Sequence, residues 1–164
     1  FATPSGKIEI YSQTWADLRN PEIPPVAKYI EPREGINDPL AKKYPLQLIS
    51  THFKRRTHGQ FENLPWLSEL EPQTMLINSA DAEARGIRDK DRVRVFNDRG
   101  AITIIAKVTE RIMPGVVDVP QGAWYDPDQN GVDQGGNPNV LIKDQISPGG
   151  AFPYNTCLVE IQKV

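Results

Sequence analysis

The chain has 164 residues and a formal net charge of −2, enough for one domain with a real core and too evenly charged to bind polyanions over its whole surface. Its single cysteine excludes an internal disulfide, and no apolar run approaches the roughly 20 residues of a membrane span. Fifteen prolines and twelve glycines point to many turns and long ordered loops.

The chain opens at Phe1 with no methionine, basic leader or signal-type apolar stretch, so it reads as a segment of a larger polypeptide. FATPSGKIEIYS predicts a turn at Thr3-Pro4-Ser5-Gly6 and a strand through Ile8 and Ile10. Residues 13–44, with Pro21, Pro24, Pro25, Pro32 and Pro39, read as a loop over the surface with a helical turn at Ala41-Lys42-Lys43, or as a disordered linker. Leu46–Thr51 reads as the first core strand, after which the chain turns abruptly polar. Ser50, Thr51, His52, Lys54, Arg55, Arg56, His58 and Gln60 come in quick succession, as if a strand end delivered donors into a cleft. Leu64-Pro65-Trp66-Leu67 is an apolar landing point with Trp66 read as packing.

Met75-Leu76-Ile77 predicts a strand, with Asn78 as the cap of a helix over Ala80–Arg85, Asp81 as its capping-box partner and Gly86 as its left-handed end. Arg92–Phe96 alternates, Asn97-Asp98-Arg99-Gly100 turns, and Ala101–Val108 returns as a hairpin strand. Val116–Val119 and Cys157–Val164 predict two further strands. Between them, 120–156 reads as a long ordered loop packed on the barrel through Trp124, Tyr125, Leu141, Ile142, Phe152 and Tyr154. Six or seven short strands, one firm helix and two long polar loops suggest a mainly β, compact barrel.

Chemistry is confined to two clusters. His52 and His58 have neither helical nor same-face strand spacing, and no Cys or carboxylate group lies near them, so no metal site is expected. Ser50 or Thr51 beside His52 makes no nucleophilic triad, because neighbours on a strand point to opposite faces. Cys157, opening an alternating strand, reads as a buried structural thiol. Lys54, Arg55 and Arg56 suit phosphate contacts, although Lys54 and Arg55 also fit a solvated basic patch. Walker and Rossmann glycine patterns are missing. The amides Gln121, Asn137, Asn139 and Asn155 carry donor and acceptor together, which matches a pterin or purine edge. Asn137, beside Pro138, and Asn130, beside Gly131, better serve turns. Asp81 fits equally a guanine edge or the first turn of its helix.

TPSGKIEIYS, LISTHFKRRTHGQFEN, INSADAEARGIRDKDRVRVFNDRGAI, MPGVVDVPQGAWYDP and GGNPNVLIKDQISPGGAFPYNTCLVEI form an ordered series over essentially the whole chain. They resemble the C-terminal molybdopterin-dinucleotide-binding domain of the dimethyl sulfoxide reductase family, most like its anaerobic, membrane-anchored dimethyl sulfoxide reductases. The resemblance implies a double-psi β-barrel with one or two short helices, residues 1–164 forming a single excised domain with 1–44 as lead-in and 45–164 as barrel. It implies a bis(molybdopterin guanine dinucleotide) molybdenum cofactor, with Ser50, Thr51, His52, Arg56 and His58 against the dinucleotides. Gln121, Gly122, Asn139, Tyr154 and Asn155 would line the pterin side. Asn78 and Asp81 fall where the family often has INPxDA, with Ser79 in place of the proline.

The molybdenum ligand and iron–sulfur cysteines would lie in earlier domains, so the fragment is not expected to turn over alone. Implied partners are those domains, an iron–sulfur electron-transfer subunit and a membrane anchor subunit. The implied location is periplasmic or membrane-associated through the parent complex, with no nucleic acid bound. A protein-interaction barrel using Trp66, Trp124 and Tyr125, or a small hydrolase using His52, remain the alternatives.

Overall fold

A computed structural model describes residues 1–164, which divide into two compact units. The smaller unit comprises Phe1–Pro32 and Gln145–Pro153. It contains the expected turn, closed by Gly6 N–H to Thr3 C=O at 3.0 Å, and a helix that local pattern did not anticipate, α1 (Gln13–Asp17). Ser12 caps α1 by accepting from the Trp15 N–H at 3.3 Å. The strand expected at Ile8 and Ile10 is not formed; these side chains are 73% and 83% exposed. Two alternating isoleucines do not hold a strand without a neighbour to complete its ladder.

The larger unit, Arg33–Asp144 with Tyr154–Val164, holds six strands. They are β1 (Leu46–Ile49), β2 (Thr74–Ile77), β3 (Arg92–Phe96), β4 (Ala101–Val108), β5 (Val116–Asp118) and β6 (Cys157–Lys163). The sheet closes on itself in the order β1-β5-β2-β4-β3-β6. β1 with β5 and β2 with β4 are parallel, and the other neighbours are antiparallel. β5 thus lies between the antiparallel β1 and β2, while β1 lies between β5 and β6. These two interlocked insertions are the double-psi topology. Closure leaves no strand edge exposed.

The barrel interior is filled by Leu46, Leu48, Met75, Ile77, Val93, Val95, Ile102, Val117 and Val159, all essentially inaccessible. Their alternation with outward residues is the period-two pattern read from the sequence. Two further helices are α2 (Pro65–Leu70), which was not anticipated, and α3 (Ser79–Glu83). Trp66 rides on the outer side of α2 at 57% exposed, so its expected packing role is corrected. Pro65 at the start of α2 turns the apolar landing point into a helix that buries none of its residues. Asn78 caps α3 as expected, accepting from the Ala80 N–H at 2.9 Å, and Gly86 is left-handed at φ +62°. The capping box is not completed. Asp81 instead accepts from the Gly115 N–H at 2.7 Å and lies 3.9 Å from Arg85.

Of the 120–156 loop, Leu141 is fully buried, whereas Trp124, Tyr125, Phe152 and Tyr154 are exposed. The loop is held by polar atoms more than by its aromatics. Asp133, with no exposure, accepts from the Asp126 N–H at 2.8 Å and the Asn137 N–H at 2.7 Å.

Cys157 is buried as expected, and burial pushes its thiol up to about 11 despite Arg99 nearby. Because the folded value is raised from 9.0, the stability this protonated thiol contributes is complete below pH 9 and is lost as pH rises toward 11. Cys157 should therefore resist alkylation at pH 8 in the folded protein and react fully once unfolded. A fast reaction of the native thiol would contradict this placement.

Candidate functional site

β1 and β5 are parallel and end side by side, with Ile49 opposite Asp118. β2 runs antiparallel to β5, so Thr74 opens it at that same end. β6 runs antiparallel to β1 and enters there as well, with Cys157 opposite Leu48. The segments 50–62, 71–73, 119–122 and 154–156 are therefore gathered at one end of the barrel by strand direction alone.

The polar stretch after β1 is tied down residue by residue. The Ser50 N–H donates to Asn155 Oδ1 at 2.8 Å. The Thr51 N–H and hydroxyl both donate to Asp118, at 3.1 and 2.7 Å. The Gln121 N–H donates to the Thr51 carbonyl at 2.9 Å, which pairs His52 with Gln121 as a short parallel bridge. His52 and His58 are both exposed, with ring centroids 5.0 Å apart in an edge-on arrangement. His58 takes φ +53°, and Gly122 packs directly beneath its carbonyl, where a Cβ would lie 1.9 Å from the oxygen. The Trp124 indole N–H donates to the Gly59 carbonyl at 2.7 Å and fastens the same two segments.

Two buried polar atoms here have no partner, Ser50 Oγ and Arg56 Nε. Such atoms cost free energy unless something outside the chain satisfies them. Arg56 itself turns inward: its side chain is 4% exposed, it bonds Glu62 and Gln73 Oε1, and Nη2 lies 3.4 Å from the Gln121 carbonyl. Burial pushes its pKa below the ordinary arginine value. Arg55 pairs with Glu71 at 3.0 Å. Lys54 is exposed.

Asn139 is exposed on a single 3-10 turn, Pro138–Val140, that follows Gly136, whose carbonyl accepts from Gln73 Nε2 at 3.3 Å. Tyr154 and Asn155 are exposed just ahead of β6. Nine of the twelve expected residues thus belong to the segments at this end, and Asn139 lies on the turn tied to them through Gly136 and Gln73. Asn78 and Asp81 follow the far end of β2, beside Gly115 and the start of β5. The Asn78 amide is spent on the cap and on the Ile112 carbonyl at 2.8 Å. The structure does not bring these two together with the rest.

Sequence reasoning missed Asp118, Glu62, Gln73 and Asp133, the groups that hold the site in shape. Asp118 had a signal, a carboxylate inside the apolar run VVDV; Gln73 had none. His52 has no carboxylate to orient it, since Asp118 is taken by Thr51, so nothing here builds a hydrolytic base.

Residues 46–158 match the family described as the molydopterin dinucleotide binding domain. The chain is 49% identical to a dimethyl sulfoxide reductase of Escherichia coli (strain K12), over 99% of its own length and 21% of the relative's. It is 42% identical to a dimethyl sulfoxide/trimethylamine N-oxide reductase of Cereibacter sphaeroides, over 87% of the chain and 18% of that protein. It therefore spans about a fifth of the length of these curated relatives. Acetylene hydratase from Pelobacter acetylenicus superposes with a TM-score of 0.81 over 99% of this chain and 24% of its own, at 22% identity, a likeness of fold.

Proposed function

Because the chain belongs to the molydopterin dinucleotide binding domain family, we propose that the gathered barrel end receives the cofactor within a larger S-oxide or N-oxide reductase. The observation that carries the assignment of the site is the buried, unpartnered Ser50 hydroxyl, on a residue whose own N–H is satisfied by Asn155. The donor set fits a phosphorylated heterocycle. Ser50, His52 and His58 offer hydrogen bonds, Lys54 offers unpaired charge, and Gln121, Asn139 and Asn155 offer mixed donor–acceptor edges. When bound, the molybdenum and its pterins supply the redox chemistry; the chain's own groups bind and orient them.

In this reading Thr51, Gly122 and Asp118 keep the rim in register. Tyr154 flanks it, and Asn78 and Asp81 serve α3 at the far end. We further propose the bis(molybdopterin guanine dinucleotide) form. The remaining domains of the polypeptide supply the metal ligand and iron–sulfur cluster, an electron-transfer subunit and a membrane anchor complete the assembly, and the complex sits at the bacterial membrane or in the periplasm. The relatives' names support the reductase class, and the chain has no helix long and apolar enough to cross a membrane.

Ser50→Ala in the full-length enzyme is the direct test. Losing one charge-assisted hydrogen bond should lower molybdenum and guanine content per polypeptide by on the order of tenfold under stringent washing. Unchanged content would remove the basis for placing the cofactor here.

A further inference from the structure

We propose that Arg56 and Glu62 form a neutral, inward-facing brace that positions the His52–His58 turn, and that Arg56 is not a phosphate ligand. The inference rests on the cofactor-end reading above and assigns that end's internal architecture. A guanidinium presents its donors as a rigid fork; both outer nitrogens of Arg56 are already committed within the chain, and its buried, unpartnered Nε by itself cannot make the bidentate contact a phosphate takes from the fork. Nη1 is paired with Glu62, and Nη2 serves Gln73 Oε1 and, at 3.4 Å, the Gln121 carbonyl. The guanidinium carbon also lies 4.1 Å from the centre of the Phe53 ring, so one flat face is covered. Gln73 extends the connection, donating to the Pro120 carbonyl at 2.7 Å and the Gly136 carbonyl at 3.3 Å. One side chain thereby links the turn after β1, the entry to β2 and both halves of the late loop.

Charge decides the second half of the proposal. A phosphate approaching Arg56 would have to displace Glu62, a carboxylate of the same sign. With that pair neutral and Arg55 held by Glu71, Lys54 is left as the unpaired cation of the run Lys54-Arg55-Arg56. Truncating either partner of the brace strands the other: without Arg56, Glu62 becomes a half-buried anion near an anionic ligand, and without Glu62 the fork loses its anchor.

The experiment is a double-variant cycle in the full-length holoenzyme, with Arg56→Gln, Glu62→Ala and the pair together. Molybdenum and guanine content per folded polypeptide is read in each, together with the salt dependence of cofactor loss. Each single variant should lower content by about fivefold, and the double should be no lower than the worse single, because neighbours in one network do not add. The salt dependence of the double should match that of the unsubstituted enzyme, since removing a neutral pair removes no net charge; general loosening of the fold would not be expected to preserve it.

Content that survives Glu62→Ala but falls with Arg56→Gln, and equally in the double with a flatter salt response, would show direct phosphate contact and overturn the brace. So would full retention in all three variants. Ser50→Ala run in parallel separates the two levels. If it loses cofactor while the Arg56 and Glu62 variants do not, the brace alone fails; if it too retains cofactor, the site assignment fails.

Discussion

Gly122→Ala should abolish stable cofactor retention and destabilise the barrel by roughly 3 kcal/mol, the sum of left-handed strain and a clash that no rotamer relieves. Gly122 sits at φ +97°, and an added Cβ would meet the His58 carbonyl oxygen at 1.9 Å. The obstructing atom is backbone, so either the 121–122 segment or the His58 turn must move. Either movement parts His52 from Gln121, which are joined by the bridge beginning at Thr51. Gly115→Ala is the control, because it shares a positive φ of +82° but opens onto empty space. That variant should cost only about 1 kcal/mol and leave cofactor content alone. Thermal unfolding and molybdenum content of both variants decide the matter. Equal effects at the two glycines would mean that strain, and not the close approach at the site, governs Gly122.

Asp133→Ala should lower stability by about 2–4 kcal/mol, since two part-buried amides lose the acceptor that a fully buried carboxylate supplies, at about 1–3 kcal/mol each. The carboxylate receives the Asp126 and Asn137 N–H groups, while the same residue's backbone pairs with the Ala101 carbonyl at 3.1 Å and the Thr103 N–H at 2.7 Å. It is the post from which both halves of the late loop hang. Asn139, two residues past Asn137, should lose its fixed position as well. Hydrogen exchange at the Asp126 and Asn137 amides should accelerate more than exchange in β1 or β5. Uniform acceleration across the barrel would instead make Asp133 an ordinary core residue.

Much of the barrel was legible from local pattern. Arg92–Phe96 and Ala101–Val108 alternate and flank a turn, and they pair as a hairpin with Val95 opposite Ile102. Asn78 and Gly86 mark the ends of α3 through cap chemistry that needs no distant partner. The donor-rich run after Leu46–Ile49 does emerge at a strand end, because an apolar run must be buried and its polar continuation must leave the core. Ile8 and Ile10 misled because alternation states which face could be buried, not whether another strand is present. Trp66, Trp124 and Tyr125 misled for a similar reason: apolar area favours burial, but tertiary packing decides whether a surface is offered.

The strands, the caps, the buried thiol and the chemical types available for binding are all written in the residue order, as consequences of periodicity and of what each side chain can donate or accept. Adjacency is not, and it had to come from the closed sheet. β2 runs against β5, and that reversal carries Asn78 and Asp81 to the far end while bringing Gln73 to the site. Glu62 and Gln73 close on Arg56 and turn its guanidinium inward. Side-chain chemistry is local, but neutralisation and direction depend on partners set by strand order, and strand order is a property of the closed barrel as a whole.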